Sequence, residues 1–241
     1  MMWEIRKDLR SWLPRLQSHR GYWVKGLPEN TLASIQEAAR LGYQMVEFDV
    51  RLTSDDQVVL FHDESITSYQ IRHTPYSELV TVVQMNTLEQ IFEWAQKNSD
   101  IQIKFNIELK TAEKKDATLE KWVVALIEKY HFEGRVLVSS FNPLALMRVR
   151  KLNSKIFRAL LLTLESHPFN KWYLRGMVLN FLAKPHMLNL RYVDWSNRRM
   201  QRIAKKIPVI LWTFNSVKDV KYILTKVHGV ISDEITPEQI G

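Results

Sequence analysis

Several short polar stretches in the first half of the chain hold residues able to do acid–base and cation chemistry. They are His19-Arg20-Gly21, Pro28-Glu29-Asn30-Thr31, Glu47 with Asp49, His62-Asp63, and Glu108 with Lys110. Most of them close strand-like runs: LQSHRG, QMVEFDVRL, QVVLFHD and IQIKFNIELK. Residues two apart on a strand point to one face, so Glu47 and Asp49 share a side. Two like charges there are costly unless a cation lies between them or an Arg or Lys pairs with them. Glu108 ends another strand in the same way. Three carboxylates make an all-oxygen set suited to Mg²⁺, Ca²⁺ or Mn²⁺ rather than to a thiolate metal.

His19 and His62 beside such a set are candidates for general acid and base, because imidazole titrates near neutrality. Arg20 and Lys110 bring positive charge, either to hold a phosphate or to pair with Glu47 or Glu108. Phe141 in SSFN and Trp212 in LWTFN read either as core aromatics or as an apolar wall for an alcohol or lipid moiety. The other five histidines, His73, His131, His167, His186 and His228, have no comparable setting and read as structural.

The elements that must position these groups alternate between strand and helix. After LQSHRG a helix is expected over residues 30–41, with Asn30 as its cap and Gly42 ending it. QMVEFDVRL and VVLFHD flank an Asp-rich turn. Thr87 caps LEQIFEWAQK, and IQIKFNIELK follows. Further helices are expected over 117–130, from Pro143, over 169–183, 197–205 and 217–225. VLVSSF, IFRALLLT, MLNLRY, PVILWTFN and GVISD are the later strands. About eight βα steps with mostly apolar strands imply a parallel sheet closed as a TIM (β/α)8 barrel in a single α/β domain. Active sites of such barrels sit at the C-terminal ends of the strands, where His19, Glu47, Asp49, His62 and Glu108 fall. No GxGxxG or GxxxxGKS loop follows any strand, so nucleotide cradling has no support.

The chain has 241 residues, 46% hydrophobic and 25% charged, enough for one barrel-sized core. It has no cysteine, which excludes disulfides, thiolate metal sites and a cysteine nucleophile and fits a cytoplasmic, reducing location. Residues 1–16 lack the apolar run of a secretory signal and read as an amphipathic helix or arm ahead of a barrel over 17–241. Net charge is +8. Between Ala145 and Lys206 about fourteen Lys and Arg face two acids, Glu165 and Asp194. Such a stretch attracts phosphate-rich partners: peripheral contact with an anionic membrane is one reading, a solvated basic face the other, and nucleic acid ranks last because no recognition module is present.

Taken in order, these motifs resemble the glycerophosphodiester phosphodiesterase family. The resemblance rests on His19-Arg20-Gly21, PENT at Pro28 to Thr31, EFDV holding Glu47 and Asp49, His62-Asp63, IELK holding Glu108 and Lys110, SSFN, WTFN and the closing GVISD, from about residue 18 to 234. It implies a TIM barrel, a divalent cation and hydrolysis of small-molecule glycerophosphodiesters to glycerol 3-phosphate and an alcohol. By the same resemblance Glu47, Asp49 and Glu108 hold the metal, His19 and His62 serve as acid and base, and Arg20 and Lys110 contact the phosphate. A neighbouring glycerol hydroxyl attacking phosphorus, with water opening the cyclic phosphate, is part of the implication. The turn Thr53-Ser54-Asp55-Asp56-Gln57 lacks the family's glycine, and the stretch from His62 to Glu108 leaves little room for an insertion, which points to an open site. A lysophospholipase D acting at a membrane surface and a non-catalytic phosphate or lipid-head-group binding module are the competing readings. A sphingomyelinase-type phospholipase D shares the early His and Glu-x-Asp pattern but not PENT, IELK or WTFN.

Overall fold

The computed structural model describes residues 2–111, 116–167 and 170–240. Eight parallel strands close on themselves: β1 (Leu16–His19), β2 (Met45–Leu52), β3 (Lys104–Leu109), β4 (Val136–Ser140), β5 (Phe157–Leu162), β6 (Met187–Arg191), β7 (Val209–Trp212) and β8 (Gly229–Ser232). Each pairs with its neighbours in sequence, and β1 pairs with both β2 and β8, so no edge remains. This is the TIM barrel that the strand and helix alternation predicts.

One strand departs from the expected pattern. Val58–Leu60 is not a barrel strand but runs antiparallel to the upper part of β2, with Val50 opposite Leu60. The turn over residues 53–57 is far too short for the crossover that parallel neighbours need. The chain therefore doubles back, and this hairpin arm carries His62 down to the barrel rim.

The helices follow their caps. Thr87 and Gln90 form a reciprocal capping box for Leu88–Lys97, Asn142 caps Pro143–Leu152, and Asn197 caps Arg198–Ala204. The helix after β1 starts later than expected. It spans Leu32–Arg40 and is capped by Thr31 with Ser34, while Asn30 stands outside it at φ 55°. Asn30 is thus freed for a different task. The helix expected over 169–183 begins outside the described residues. Within them two short helices form, Trp172–Arg175 and Asn180–Ala183, separated where Met177 takes φ 57°. The one expected over 217–225 is limited to Val220–Ile223. No helix among the described residues is long and apolar enough to cross a membrane.

Two cores result from the strand period of two. Outward residues such as Val46, Phe48, Phe105, Ile107, Val138 and Leu188 pack beneath the helices. Inward residues Met45, Leu137, Phe157, Met187, Ile210 and Ile231 plug the floor of the barrel. Leu9, from the single helical turn Leu9–Trp12 formed in the N-terminal segment, and Leu13 just after it close that floor. Glu4 adds an ion pair at 2.8 Å to the buried Arg158 guanidinium. His186, also buried here, accepts a hydrogen bond from the Arg158 backbone N–H; burial and the Arg158 charge push its pKa down to about 3, so it is neutral.

Phe92 anchors the outer core, with ring centroids 5.8 Å from Phe105, 5.8 Å from Tyr130 and 4.9 Å from Phe132. The pairs with Tyr130 and Phe132 are edge to face, which adds to the burial of the rings themselves. Phe92→Ala is expected to lower unfolding free energy by about 3–5 kcal/mol, measured by denaturant titration.

Candidate active site

β1, β2 and β3 lie side by side, with His19 beside Glu47 and Asp49 beside Glu108 in register. That pairing converts residues far apart in sequence into one inward-facing cluster at the barrel mouth. Glu47, Asp49 and Glu108 are all buried, and one oxygen from each lies within 4.8 Å of the others. Three oxygen donors with no sulfur or imidazole among them fit a hard divalent ion, so the triad could hold such a metal. Burial and the neighbouring Asp49 charge push Glu47 up to about 8, and burial above all pushes Glu108 up to about 7. Such carboxyls are short of positive charge.

Two cations supply part of it. Lys110 Nζ lies 2.6 Å from Glu108 and 3.1 Å from Asp49. Arg20 Nε lies 3.3 Å from Asp49, its Nη1 donates to Glu29 at 2.8 Å, and its backbone N–H donates to Glu47 at 3.1 Å. Burial opposes the charge on Asp49, but Lys110 and Arg20 outweigh it and hold its pKa below the usual range. Asn30 completes the grip on Asp49. Its side-chain amide donates to a carboxylate oxygen at 3.0 Å, and its carbonyl accepts from the Asp49 backbone at 2.9 Å. The positive φ that removed Asn30 from the helix is what turns it here.

The turn that brings Arg20 over Glu47 depends on Gly21. It has φ 79°, and a Cβ there would fall 2.3 Å from Ser34 Oγ. Only glycine lets the start of the helix Leu32–Arg40 approach this closely.

Both histidines have one ring nitrogen tied to a carboxylate. His19 Nδ1 is 2.7 Å from Asp233, which follows β8, and His62 Nδ1 is 2.7 Å from Asp63. In each case Nε2 is left for proton exchange; that of His19 stands 3.9 Å from Glu47. Burial alone would lower His19, but Asp233 and Glu47 reverse it and its pKa is raised. Burial and Lys110 lower that of His62. Asn215 holds Asp233 by donating to its second oxygen at 2.9 Å and accepting from its backbone at 3.0 Å. Arg51 donates twice to the His62 carbonyl, at 3.0 and 2.7 Å, and so fixes the hairpin arm.

On the far side of the mouth Phe141 and Trp212 meet edge to face, 5.5 Å apart, and Trp212 Nε1 donates to the Asn189 carbonyl at 3.0 Å. Phe141 also lines an apolar cavity of about 300 Å³ with Leu160, Leu162, Tyr173 and Met177. All nine residues singled out from the sequence therefore stand at the barrel mouth, in a polar group on β1 to β3 and an aromatic pair reaching from β4 to β7. Four more complete the site: Asn30, Arg51, Asn215 and Asp233. Asp233 carried a readable signal, a carboxylate closing the last strand, as Glu108 closes β3.

Comparison with known proteins points to one family. The chain is 29% identical to a glycerophosphodiester phosphodiesterase of Bacillus altitudinis, covering 92% of this chain and 95% of that one. It is 26% identical to another of Caldanaerobacter subterraneus subsp. tengcongensis, over 90% of this chain and 93% of that one. An Oleispira antarctica phosphodiesterase, solved with the product sn-glycerol-3-phosphate, superposes with a TM-score of 0.79 at 26% identity, covering 95% of this chain and 96% of that one. The family model described as glycerophosphoryl diester phosphodiesterase matches residues 19–236, and the chain belongs to that family of phosphodiester-hydrolysing enzymes.

Proposed function

We propose that the protein hydrolyses glycerophosphodiesters to glycerol 3-phosphate and an alcohol with the help of one divalent cation, Mg²⁺ or Ca²⁺, and of His19 and His62. The observation that carries this reading is the buried convergence of Glu47, Asp49 and Glu108 between two histidines whose Nδ1 atoms are fixed by carboxylates. Glu47, Asp49 and Glu108 would hold the ion, which when bound supplies positive charge against the phosphate. Arg20 and Lys110 offer donors to the phosphate oxygens and keep Asp49 ionised. One histidine takes the proton of the attacking hydroxyl and the other returns one to the departing alcohol, each through Nε2. Asp233 and Asp63 set the ring orientation and support the imidazolium. Phe141 and Trp212 wall the side on which the organic part of the substrate rests.

A second reading, lysophospholipase D activity at a membrane surface, is favoured by the apolar cavity that opens beside Phe141. The deciding assay is release of glycerol 3-phosphate from glycerophosphocholine and glycerophosphoethanolamine, with release of choline from lysophosphatidylcholine followed in parallel. Turnover of the soluble diesters supports the first reading; turnover of the lysolipid alone supports the second. No turnover of any of them would point to a different diester or to the binding-module reading.

His19→Ala and His62→Ala are each expected to lower kcat on glycerophosphocholine by about 10²–10⁴-fold, with circular dichroism unchanged. Asp233→Asn should lower kcat by a smaller factor, about tenfold to a hundredfold, because it alters the orientation of His19 rather than removing it. A parent-like kcat in His19→Ala would remove the catalytic assignment.

EDTA is expected to abolish turnover and added Mg²⁺ or Ca²⁺ to restore it. The pH dependence follows from Glu47 and Glu108, whose folded pKa values of about 8 and about 7 lie above the ordinary carboxyl value of 4.5. The metal-free fold therefore binds protons that the unfolded chain has released, so their contribution to stability is present below 4.5 and lost as pH rises through 7 to 8. Metal needs both groups ionised. The rise in Tm on adding Mg²⁺ or Ca²⁺ should therefore be larger above pH 8 than below pH 7, and calorimetry should detect proton release on binding in the lower range.

A further inference from the structure

The loops after β5 and β6 form a surface that the hydrolytic site does not use. Trp172 is 71% exposed, Val193 61%, Phe181 54%, Val178 44% and Tyr192 42%. Single exposed apolar side chains are ordinary, but Trp172, Val178, Tyr192 and Val193 stand on two adjoining loops and make a cluster, whereas Phe181 lies on the helix that runs back towards the barrel floor. The loops are tied together: Leu164 N–H donates to Asp194 at 2.8 Å, Arg191 pairs with Glu165, and Arg199 donates to the Gly176 carbonyl at 2.9 Å.

Two of these ties use Glu165 and Asp194, the sole acids between Ala145 and Lys206. Glu165, itself exposed, is paired by Arg191, and Asp194 accepts from a backbone N–H. Exposed Lys171, Arg198 and Arg202 have no carboxylate partner among the described residues. The result is an apolar cluster set among uncompensated cations, at the C-terminal end of the barrel where the site opens.

We propose that this face docks on an anionic lipid bilayer. Its aromatic and aliphatic side chains enter the headgroup boundary, and its cations meet the lipid phosphates. Docking in this orientation turns the barrel mouth towards the lipid. The proposal concerns binding alone and does not depend on which diester is cleaved.

Flotation of the full chain with two kinds of vesicle tests it, one of phosphatidylcholine alone and one of phosphatidylcholine mixed with phosphatidylglycerol. The expected result is binding to the anionic vesicles only, weakened by added salt. Trp172→Ser with Val193→Ser, and separately Lys171→Glu with Arg198→Glu, should each weaken it by about tenfold or more, while both variants turn over glycerophosphocholine at the parent rate. No flotation even at low salt, or flotation unchanged in both variants, would overturn the proposal. So would binding to duplex DNA without binding to vesicles. Because turnover of the soluble diester is read on the same samples, failure of the catalytic assignment leaves the vesicle result standing.

Discussion

Three carboxylates held together away from water set the terms for the rest of this molecule. Burial and mutual repulsion raise the cost of ionising Glu47 and Glu108, and only nearby positive charge or hydrogen-bond donors can lower it. Lys110 bridges Asp49 and Glu108, Arg20 reaches Asp49 and Glu47, and Asn30 fixes Asp49 from both ends. An arrangement that demands so much compensation contributes little to folding. It is maintained by a barrel whose apolar floor and outer shell supply the stability elsewhere.

The surrounding elements can be understood by what they do for that cluster. Adjacent parallel strands put the carboxylates in register. The glycine turn after β1 brings a backbone N–H and a guanidinium onto them. The hairpin on β2 delivers a histidine to the rim, where Arg51 clamps its carbonyl. The last strand returns next to the first, and barrel closure is what allows Asp233 to meet His19 across more than two hundred residues of chain. A local fragment could not build this site.

Much of this was legible in the sequence because it rests on two simple periodicities. The alternation of strand and helix gave the barrel, and the position of acids and histidines at strand ends gave the polar half of the mouth. What escaped depends on local geometry that residue types do not encode uniquely. Asn30 is as good a helix cap as Thr31, and only the positive φ at Asn30 hands the capping role to Thr31. VVLFHD has the composition of a barrel strand, and the shortness of the turn before it is what makes it a hairpin arm. Asp233 and Asn215 lie within recognisable motifs, yet their roles appear only when β8 and the segment after β7 are brought beside β1. The break at Met177 is invisible to helical periodicity, since the apolar residues on either side of it keep helical spacing.

The mouth that emerges is divided. Charge is concentrated on the β1 to β3 side and on Asp233, whereas the β4 to β7 side presents Phe141, Trp212 and an apolar cavity. A diester is itself divided, with a charged phosphate between organic groups of different polarity. Under the proposed function the phosphate meets the polar half and one organic group faces the aromatic pair. Outside the mouth the pattern repeats at larger scale: the basic stretch from Ala145 to Lys206 occupies the apolar half of the barrel, and its two acids are consumed in joining loops. Positive charge there lies away from the carboxylate cluster, where it would otherwise compete for Glu47, Asp49 and Glu108. The separation lets one end of one barrel keep an electron-rich pocket and a cationic surface side by side without either cancelling the other.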